Sequence, residues 1–595
     1  MKKQDEGRLA LWRERYEQER IAYSGERAKM DRREELYRGS ADIRGVDGGR
    51  SEATHVRNLV QEIIETQVDS NIPQPKVTAL RQEDEPLAKL IEDMLRNELD
   101  RLPIETMNDE AERVCPIQGG DGVLVDWDAT RGTHESIGEL ALTGLHPKKI
   151  IPQDGVYRIA DMDWFFLELQ QTKGFIRRRY GVDVSDEPEE RPEARTVDGA
   201  RAAEQLVTQI VAYYRGEDGA IGRFSWVNDR VLEDLSDYQK RRLQLCVDCG
   251  TVGDGNVCRA CGGHKFREEL REYEELTEDV FRSDGTIIPA SVTAGDGGGW
   301  DDPLLTAGDG GLLPQLEPGG FSSPVFLSQQ ETPTATRIPY YEPKLYPLVL
   351  RKNVTRFGSF LGGSDVDAVE MQQNAMNKLS TKINKKVLGG GSFTTKPAGL
   401  NFEFSDEDGL ILNVDDVRQL QMIHTYNTQV DISTDLALRR EIYEEARQQI
   451  GITDSMQGRR DTTATSAVAK EFSASQAAGR LESKKVMKQA AYADLFRLMF
   501  RTKLAYADEP RPVVAYNERG EKEYKEWNRW DFLKQDAAGD WYWNDGFLFS
   551  CDSAAPLAAD RQQMWRENRM NLQEGAYGSP QDPEALVLFW EIMER

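Results

Sequence analysis

Four of the six cysteines follow a spacing that is typical of a structural metal site. Two Cys-x-x-Cys pairs, Cys246 with Cys249 and Cys258 with Cys261, are separated by eight residues. Each pair forms a tight turn that directs two sulfurs to one ion, and four thiolates complete a tetrahedral zinc site. Such a site has no open coordination position, so the zinc is structural and stabilises the local fold. We therefore predict a zinc ribbon over about residues 240–268.

Two other chemistries fit these cysteines less well. Paired disulfide bonds are disfavoured without a secretion signal, and an iron–sulfur cluster less typically has this short symmetric spacing. His264 is a possible substitute ligand, but with four thiols present we expect it to stand outside the site. The acidic segment 268–275 follows the ribbon and favours a structural or protein-contact role over nucleic-acid binding.

The overall charge excludes a general DNA-binding surface. The 595 residues include 76 Lys and Arg against 103 Asp and Glu, which gives a net charge of −27. A protein that grips DNA neutralises phosphates with cations, whereas an acidic conduit repels the phosphate backbone and allows DNA to slide. The start of the chain is charged and no apolar stretch approaches the length of a membrane span. We expect a protein made inside a cell, without membrane contact.

The sequence lacks the common motifs of catalysis. It contains no Gly-x-x-x-x-Gly-Lys-Ser/Thr phosphate loop, no His-Glu-x-x-His and no Gly-x-Ser-x-Gly. The five histidines are scattered. An acidic run at residues 406–408 could be proposed as a divalent-metal cluster, but acidic turns of this kind are usually solvated. We therefore expect a protein that is not an enzyme.

The elements of the first half are predicted to be mixed helix and strand. Residues 5–38 lack proline and are strongly charged, which suggests an exposed or oligomer-packed helix or a solvated arm. Helical periodicity continues over 55–68 and 85–114. Short apolar runs after Gly122 are typical of strands, and the near-repeat of Thr-Ala-Gly-Asp-Gly-Gly indicates a flexible glycine-rich insertion at 293–320.

The second half is predicted to contain three long helices, because no proline occurs between Pro397 and Pro510. The first helix is expected at 364–388, with Ser364 as its N-cap, aspartates in its first turn and lysines towards its end. The second is expected at about 431–450 and the third at about 466–507. The sequence as a whole therefore predicts an α+β fold.

A polar segment joins the second and third helices. Residues 451–466 are rich in glycine and hydroxyl side chains, and residues 459–507 hold 10 Lys and Arg against 4 Asp and Glu. A solvated basic helix face is the usual meaning of such a run. Here the cations are concentrated in one part of an acidic chain, which favours a specific basic surface.

The order of these segments resembles the portal proteins of tailed bacteriophages and their prophages. The resemblance spans about 55–550 and is most specific from 338 to 512. It rests on Ile338-Pro339-Tyr340-Tyr341, on Gly362-Gly363-Ser364-Asp365 before the first long helix, on the 451–470 segment followed by Gly479-Arg480-Leu481-Glu482-Ser483-Lys484, and on the exit at 504–512. The cysteine ribbon departs from many portals, so its role is not implied by the family.

The resemblance implies a portal fold with an α/β wing, long stem and tunnel helices, a short β clip, a small helical crown and an inserted zinc ribbon. The implied segments are the N-terminal part of the wing at 1–345, the wing-to-stem passage and first stem helix at 346–388, the clip at 389–425, the second stem helix at 426–450, the tunnel loop at 451–466, the long helix at 467–507, the C-terminal part of the wing at 508–550 and the crown helices at 551–595.

The resemblance also implies a function and partners. Portal subunits form a ring, expected here to be dodecameric, at one vertex of the capsid, and double-stranded DNA is packaged and ejected through it. The implied partners are the terminase large subunit, the major capsid protein and head–tail adaptor proteins. The protein would then belong to the virion, after assembly in the host cytoplasm.

Particular residues acquire expected roles from this resemblance. Arg459 and Arg460, with Lys470 second, are expected to approach DNA phosphates without reading sequence. The clip is expected to dock partner proteins through its acidic side chains, Glu403, Asp406, Glu407 and Asp408. The alternative hypothesis is a zinc-ribbon protein that processes nucleic acid as a monomer or dimer.

Overall fold

The computed structural model describes most of the chain with defined gaps. The described residues are 2–44, 50–53, 55–132, 136–184, 206–240, 242–249, 261–270, 273–276, 279–288, 337–389, 392–395, 418, 421–427, 431–452, 467–516, 522–552, 565, 568–575, 586–587 and 589–590. The glycine-rich insertion predicted at 293–320 lies outside them.

The helices fall into an N-terminal group and a later group of three long helices. The α-helices are α1 (Lys2–Tyr37), α2 (Leu59–Thr66), α3 (Glu85–Arg101), α4 (Ile104–Gln118), α5 (Lys173–Tyr180), α6 (Asp365–Gly389), α7 (Ser433–Ile450) and α8 (Ala467–Tyr506).

The strands lie mainly between α4 and α6 and after α8. They are β1 (Asp42–Arg44), β2 (Arg50–Glu52), β3 (Gln74–Ala79), β4 (Gly120–Gly132), β5 (Ile137–Leu145), β6 (Ile150–Pro152), β7 (Trp164–Thr172), β8 (Leu206–Arg215), β9 (Ile221–Val227), β10 (Arg230–Leu235), β11 (Arg242–Cys246), β12 (Phe266–Leu270), β13 (Tyr273–Glu275), β14 (Val280–Phe281), β15 (Ile287–Ile288), β16 (Arg337–Pro339), β17 (Leu348–Lys352), β18 (Ser392–Thr395), β19 (His424–Asn427), β20 (Arg511–Tyr516), β21 (Lys522–Trp527), β22 (Leu533–Gln535), β23 (Trp541–Trp543) and β24 (Phe547–Asp552).

The fold is α+β, as the sequence predicts, and its sheets are antiparallel. The largest has the order β10-β9-β8-β7-β6, and a three-stranded sheet has the order β17-β4-β5. In the smaller sheet, β17 pairs with β4 over a chain separation of more than 200 residues, with Leu348 opposite Leu124. This pairing connects the entry to α6 with the N-terminal half of the chain.

Helix α1 docks on the five-stranded sheet. Leu9, Trp12 and Tyr16 are spaced to lie on one helix face, and they pack against Phe166 and Trp226 of the sheet. Trp12 and Tyr16 are 3% and 6% exposed, so the prediction of an exposed or solvated helix is wrong for this face. The helix carries a narrow aromatic stripe within a charged sequence, and the sheet of its own chain covers that stripe.

The main core forms where α8 meets the rest of the α+β part. Phe496, Phe500 and Leu504 of α8 are fully buried, and they share one apolar cluster with Trp527 and Phe532 from the strands that follow. The same cluster includes apolar residues of α3 and of β3, which pairs with β24. The C-terminal half of α8 is therefore the central element of this core.

Helices α6 and α7 form an antiparallel pair that projects from α2. At the base of the pair, Val366 and Val369 of α6 pack with Ala446 and Ile450 of α7 against Ile63 of α2. The predicted first helix is confirmed, since Ser364 Oγ accepts hydrogen bonds from the N–H groups of residues 366 and 367, at 3.1 and 3.3 Å. The second and third helices are confirmed as α7 and α8.

The far end of this helix pair is closed by a β-hairpin. Lys382 and Lys386 of α6 form ion pairs with Asp435 near the start of α7. Beyond them, β18 and β19 pair antiparallel, with Phe393 opposite Tyr426. The hairpin strands thus follow α6 and precede α7 directly.

Candidate functional site

The cysteine site begins with the register of β11 and β12. These two strands pair antiparallel with Cys246 opposite Phe266. The N–H of Val247 donates to the carbonyl of Lys265 at 2.8 Å, which extends the ladder by one step. Because the two strands stay paired up to this point, the turns after β11 and before β12 lie side by side, and each turn carries a cysteine.

Three thiols converge at these turns. The Sγ atoms of Cys246 and Cys261 are 3.5 Å apart, and those of Cys246, Cys249 and Cys261 all lie within 4.8 Å of one another. Sulfurs at 2.3 Å from a tetrahedral zinc would be about 3.8 Å apart, whereas a disulfide requires about 2.05 Å. The described thiols are therefore free and spaced as metal ligands. Cys258 lies outside the described residues.

The backbone at Gly263 also fits a crowded ligand shell. A Cβ atom at this position would lie 3.2 Å from Cys246 Sγ and 3.3 Å from Cys261 Sγ, and it would collide with the carboxylate of Asp248. A side chain here would push the sulfurs apart, so glycine is required for the approach of the two turns. Within the part of the ribbon that the structure describes, the exposed His264 does not join the group of thiols.

The predicted DNA-contact segment starts from a fixed point. Gly451 ends α7 in the left-handed conformation, with φ of 88°, and its N–H donates to the carbonyl of Arg447 at 2.9 Å. The next residue, Ile452, is buried in the core at the base of the helix pair. Arg459 and Arg460 lie outside the described residues. Lys470 lies in the first turn of α8.

The predicted partner-docking residues belong to the segment between β18 and β19. Glu403, Asp406, Glu407 and Asp408 lie outside the described residues. The structure gives the two strands that flank them, and these strands place both ends of the segment at the far end of the α6–α7 pair.

A buried ionic cluster between α4, β17 and α8 was not predicted. Glu112 receives ion-pair contacts from Arg351 and Lys488, both at 2.9 Å, and Lys488 also contacts Asp69 at 3.2 Å. Glu112 and Lys488 are 5% and 4% exposed. The only sequence signal is spacing, because Lys484 and Lys488 continue the buried stripe of α8 that contains Tyr492 and therefore face the core.

A buried acid lies next to this cluster. Asp121 of β4 is 6% exposed, and burial raises its pKa to about 6 although the guanidinium of Arg351 opposes the shift. The thiol of Cys115 hydrogen-bonds this carboxyl group, and burial raises the pKa of that thiol well above its usual value. Among the described residues, no group hydrogen-bonds Oδ1 of Asp121.

Comparison with known proteins adds no assignment to these sites. No protein-family model matches the sequence, and no curated protein matches it. None of the helices within the described ranges is long and apolar enough to cross a membrane.

Proposed function

We propose that this chain is the subunit of a bacteriophage-type portal ring. Such a ring occupies the unique capsid vertex, passes double-stranded DNA during packaging and ejection, and docks the terminase motor and then head–tail connector proteins. The observation that supports this proposal best is the order of packed elements from α6 to α8. An antiparallel helix pair, a β-hairpin at its far end and a long helix returning into the α+β core fit a stem, a clip and a tunnel helix on a wing.

The connections at the base of the helix pair support the same function. Ile450 and Ile452 are anchored beside Val366 and Val369, and α8 begins 15 residues after Ile452. The segment 453–466 therefore leaves the core at one defined place and re-enters as a long helix. A ring that repeats this arrangement would present many copies of the segment around one axis.

The surface of the helix pair has apolar residues that suit contact with another copy of the chain. Met371 and Leu388 of α6 are 82% and 77% exposed, and Leu438 of α7 is 44% exposed. A monomer gains nothing from large apolar side chains in water, whereas subunit interfaces bury them. In the proposed ring, neighbouring stems cover these side chains.

The charge distribution supports passage of DNA rather than tight binding. The chain carries a net charge of −27, but the segment that begins the third long helix is basic. An acidic wall with a ring of Arg459 and Arg460 would centre DNA through contacts that salt screens over about 8 Å at physiological ionic strength. The acidic segment with Glu403 and Asp406 would remain available for protein docking.

For the cysteine site, we propose a single zinc ion with Cys258 as the fourth ligand beside Cys246, Cys249 and Cys261. The three grouped thiols are a possible metal site, and the symmetric pairs place Cys258 three residues before Cys261. Four thiolates would leave no position for a substrate, so the zinc would hold the ribbon together. We place the ribbon on the outer wing, away from the DNA path.

Native mass spectrometry and electron microscopy of the purified protein test the portal proposal. A ring is expected with a mass close to a whole multiple of 67.4 kDa and a central opening. Twelve copies would give roughly 0.8 MDa. A stable monomer or dimer at micromolar concentration, together with tight nucleic-acid binding, would favour the zinc-ribbon nucleic-acid-processing alternative.

The DNA-contact role of the arginines has a separate test. Arg459→Ala combined with Arg460→Ala is expected to leave ring assembly intact and to reduce packaging or retention of DNA in particles. The matched control is Arg178→Ala with Arg179→Ala, a second adjacent and exposed pair, on α5. Failure of the Arg459 and Arg460 double variant to assemble would show instead that these residues form a subunit interface.

A further inference from the structure

A cavity of about 280 Å³ lies where α4, the three-stranded sheet and α8 meet. Its walls are largely apolar and come from elements far apart in the sequence. Ile104 and Ala111 belong to α4, Leu145 closes β5, Val349 belongs to β17 and Leu495 belongs to α8. A smaller cavity of about 150 Å³ already accommodates benzene in a protein core, so this one has room for a phenyl ring with a short alkyl chain.

Two polar groups in the lining have unused hydrogen-bonding capacity. Oδ1 of Asp121 accepts no hydrogen bond from any described residue. Nη1 of Arg351 lies 2.9 Å from Glu112 as an ion pair, but it donates no hydrogen bond of good geometry within the described part of the chain. The lining therefore offers one free acceptor and one free donor. A buried polar group without a partner costs about 1–3 kcal/mol, which a ligand of matching chemistry can recover.

The local charges select the kind of ligand. The carboxylates of Asp121 and Glu112 are balanced by Arg351 and Lys488, so an added cation or anion would leave one buried charge uncompensated. A neutral hydroxyl group can donate to one partner and accept from the other. The raised pKa of Asp121, caused by burial, agrees with a carboxylate that lacks a donor.

We propose that this cavity binds a small uncharged alcohol, with its apolar body between α4 and α8 and its hydroxyl group between Asp121 Oδ1 and Arg351 Nη1. Such a ligand would contact α4, the sheet and α8 at once and so would favour the docked position of α8. A ligand in this cavity would act on any protein with this fold, whether or not it assembles into a ring.

The test uses 3-phenylpropan-1-ol, its methyl ether and propylbenzene as probes, measured by saturation-transfer NMR and calorimetric titration on the full-length protein. The alcohol is expected to bind at least about tenfold more tightly than either analogue, because the ether lacks the donor and the hydrocarbon lacks both functions. Equal binding of the three probes, or no binding by any of them, would overturn the proposal.

Variants locate the binding. Ala111→Leu should reduce the affinity for the alcohol about tenfold or more by filling the cavity, and Ala111→Val should reduce it less. Ala538→Phe, in an exposed turn, serves as the control. Asp121→Asn should shrink the preference for the alcohol over propylbenzene, because a bond to a neutral acceptor is weaker than one to a carboxylate. Unchanged affinity in Ala111→Leu with intact folding would show that the alcohol binds elsewhere.

Discussion

The cysteine ribbon and the core around α8 are held together by different forces. In the described part of the ribbon, β11 and β12 form only two strands, and Val247 beside the cysteines is 55% exposed. Around α8, by contrast, Phe496 and Phe500 are fully buried among aromatic side chains. Two strands bury too little apolar surface to be stable alone. The ribbon therefore depends on its thiol ligands, whereas the α8 core depends on burial.

The largest effect is expected from removing an aromatic ring in the α8 core. The ring of Phe500 lies 5.5–6.1 Å, between centroids, from four other aromatic rings, those of Trp527, Phe532, Phe547 and Phe549. Phe500→Ala should lower the free energy of unfolding by about 3–5 kcal/mol. Urea unfolding followed by tryptophan fluorescence measures this, and the metal content should not change. A loss below about 1 kcal/mol would mean that the cluster is not cooperative.

The next effect concerns the buried ionic cluster. Lys488→Met removes the partner of Glu112 and Asp69 and leaves buried carboxylates with less compensation. We expect a loss of about 3 kcal/mol in the free energy of unfolding. Lys485→Met is the matched control because Lys485 is exposed on the same helix, and it should change stability by less than about 0.5 kcal/mol. Equal effects from both substitutions would contradict the structural role of the cluster.

A smaller and pH-dependent effect is expected at Asp121. Its pKa is raised from 3.8 to about 6 by burial, next to Arg351, Glu112 and Cys115. The folded state thus binds the proton more strongly than the unfolded state, so this residue lowers stability as the pH rises from about 4 to 7. Asp121→Asn should therefore be the more stable protein above pH 6, by on the order of 1–3 kcal/mol.

The measurement for Asp121 is a series of urea unfolding curves between pH 4 and pH 7. The difference in free energy between the variant and the original protein should grow with rising pH across this range. Comparing the two proteins at each pH removes the contribution of the other titrating groups. A constant difference would show that the carboxyl group does not change its protonation state there.

The smallest effect on global stability is expected from the ribbon. Cys249→Ser should abolish stoichiometric zinc binding and the hydrogen-exchange protection of β11 and β12. The main unfolding transition should shift by less than about 1 kcal/mol, because the ribbon and the α8 core have separate interiors. Cys551→Ser is the control, since Cys551 donates to the carbonyl of Gln489 and lies away from the thiol group. Zinc analysis that detects no metal in the original protein would refute the zinc assignment.

The sequence predicted the elements whose signals are local. Helix α6 was expected at 364–388 and extends over Asp365–Gly389 because its N-cap serine, first-turn aspartates and terminal glycines act within one turn of the helix. The pairing of cysteines in Cys-x-x-Cys turns is equally local. Val387 shows the limit of such patterns, since it fits the apolar stripe of α6 but is 55% exposed in the described chain.

The features that the sequence did not predict depend on distant partners. The stripe of Trp12 and Tyr16 is covered by strands more than 100 residues away. Lys488 has the same composition signal as the exposed Lys485, and only the position of Glu112 on α4 makes it a buried pair. The free oxygen of Asp121 likewise becomes visible only once α4, β4 and α8 are brought together.

The contact between α8 and the first turn of α6 has a mechanical consequence. Lys484 of α8 forms an ion pair with Asp365, which is 119 residues earlier in the chain and nearly buried. Asp365 also accepts a hydrogen bond from Asn353 at 3.0 Å. A force applied along α8 therefore has a short path into α6 through these side chains, in parallel with the covalent path through residues 453–466. The two helices should yield together under tension, as a single lever.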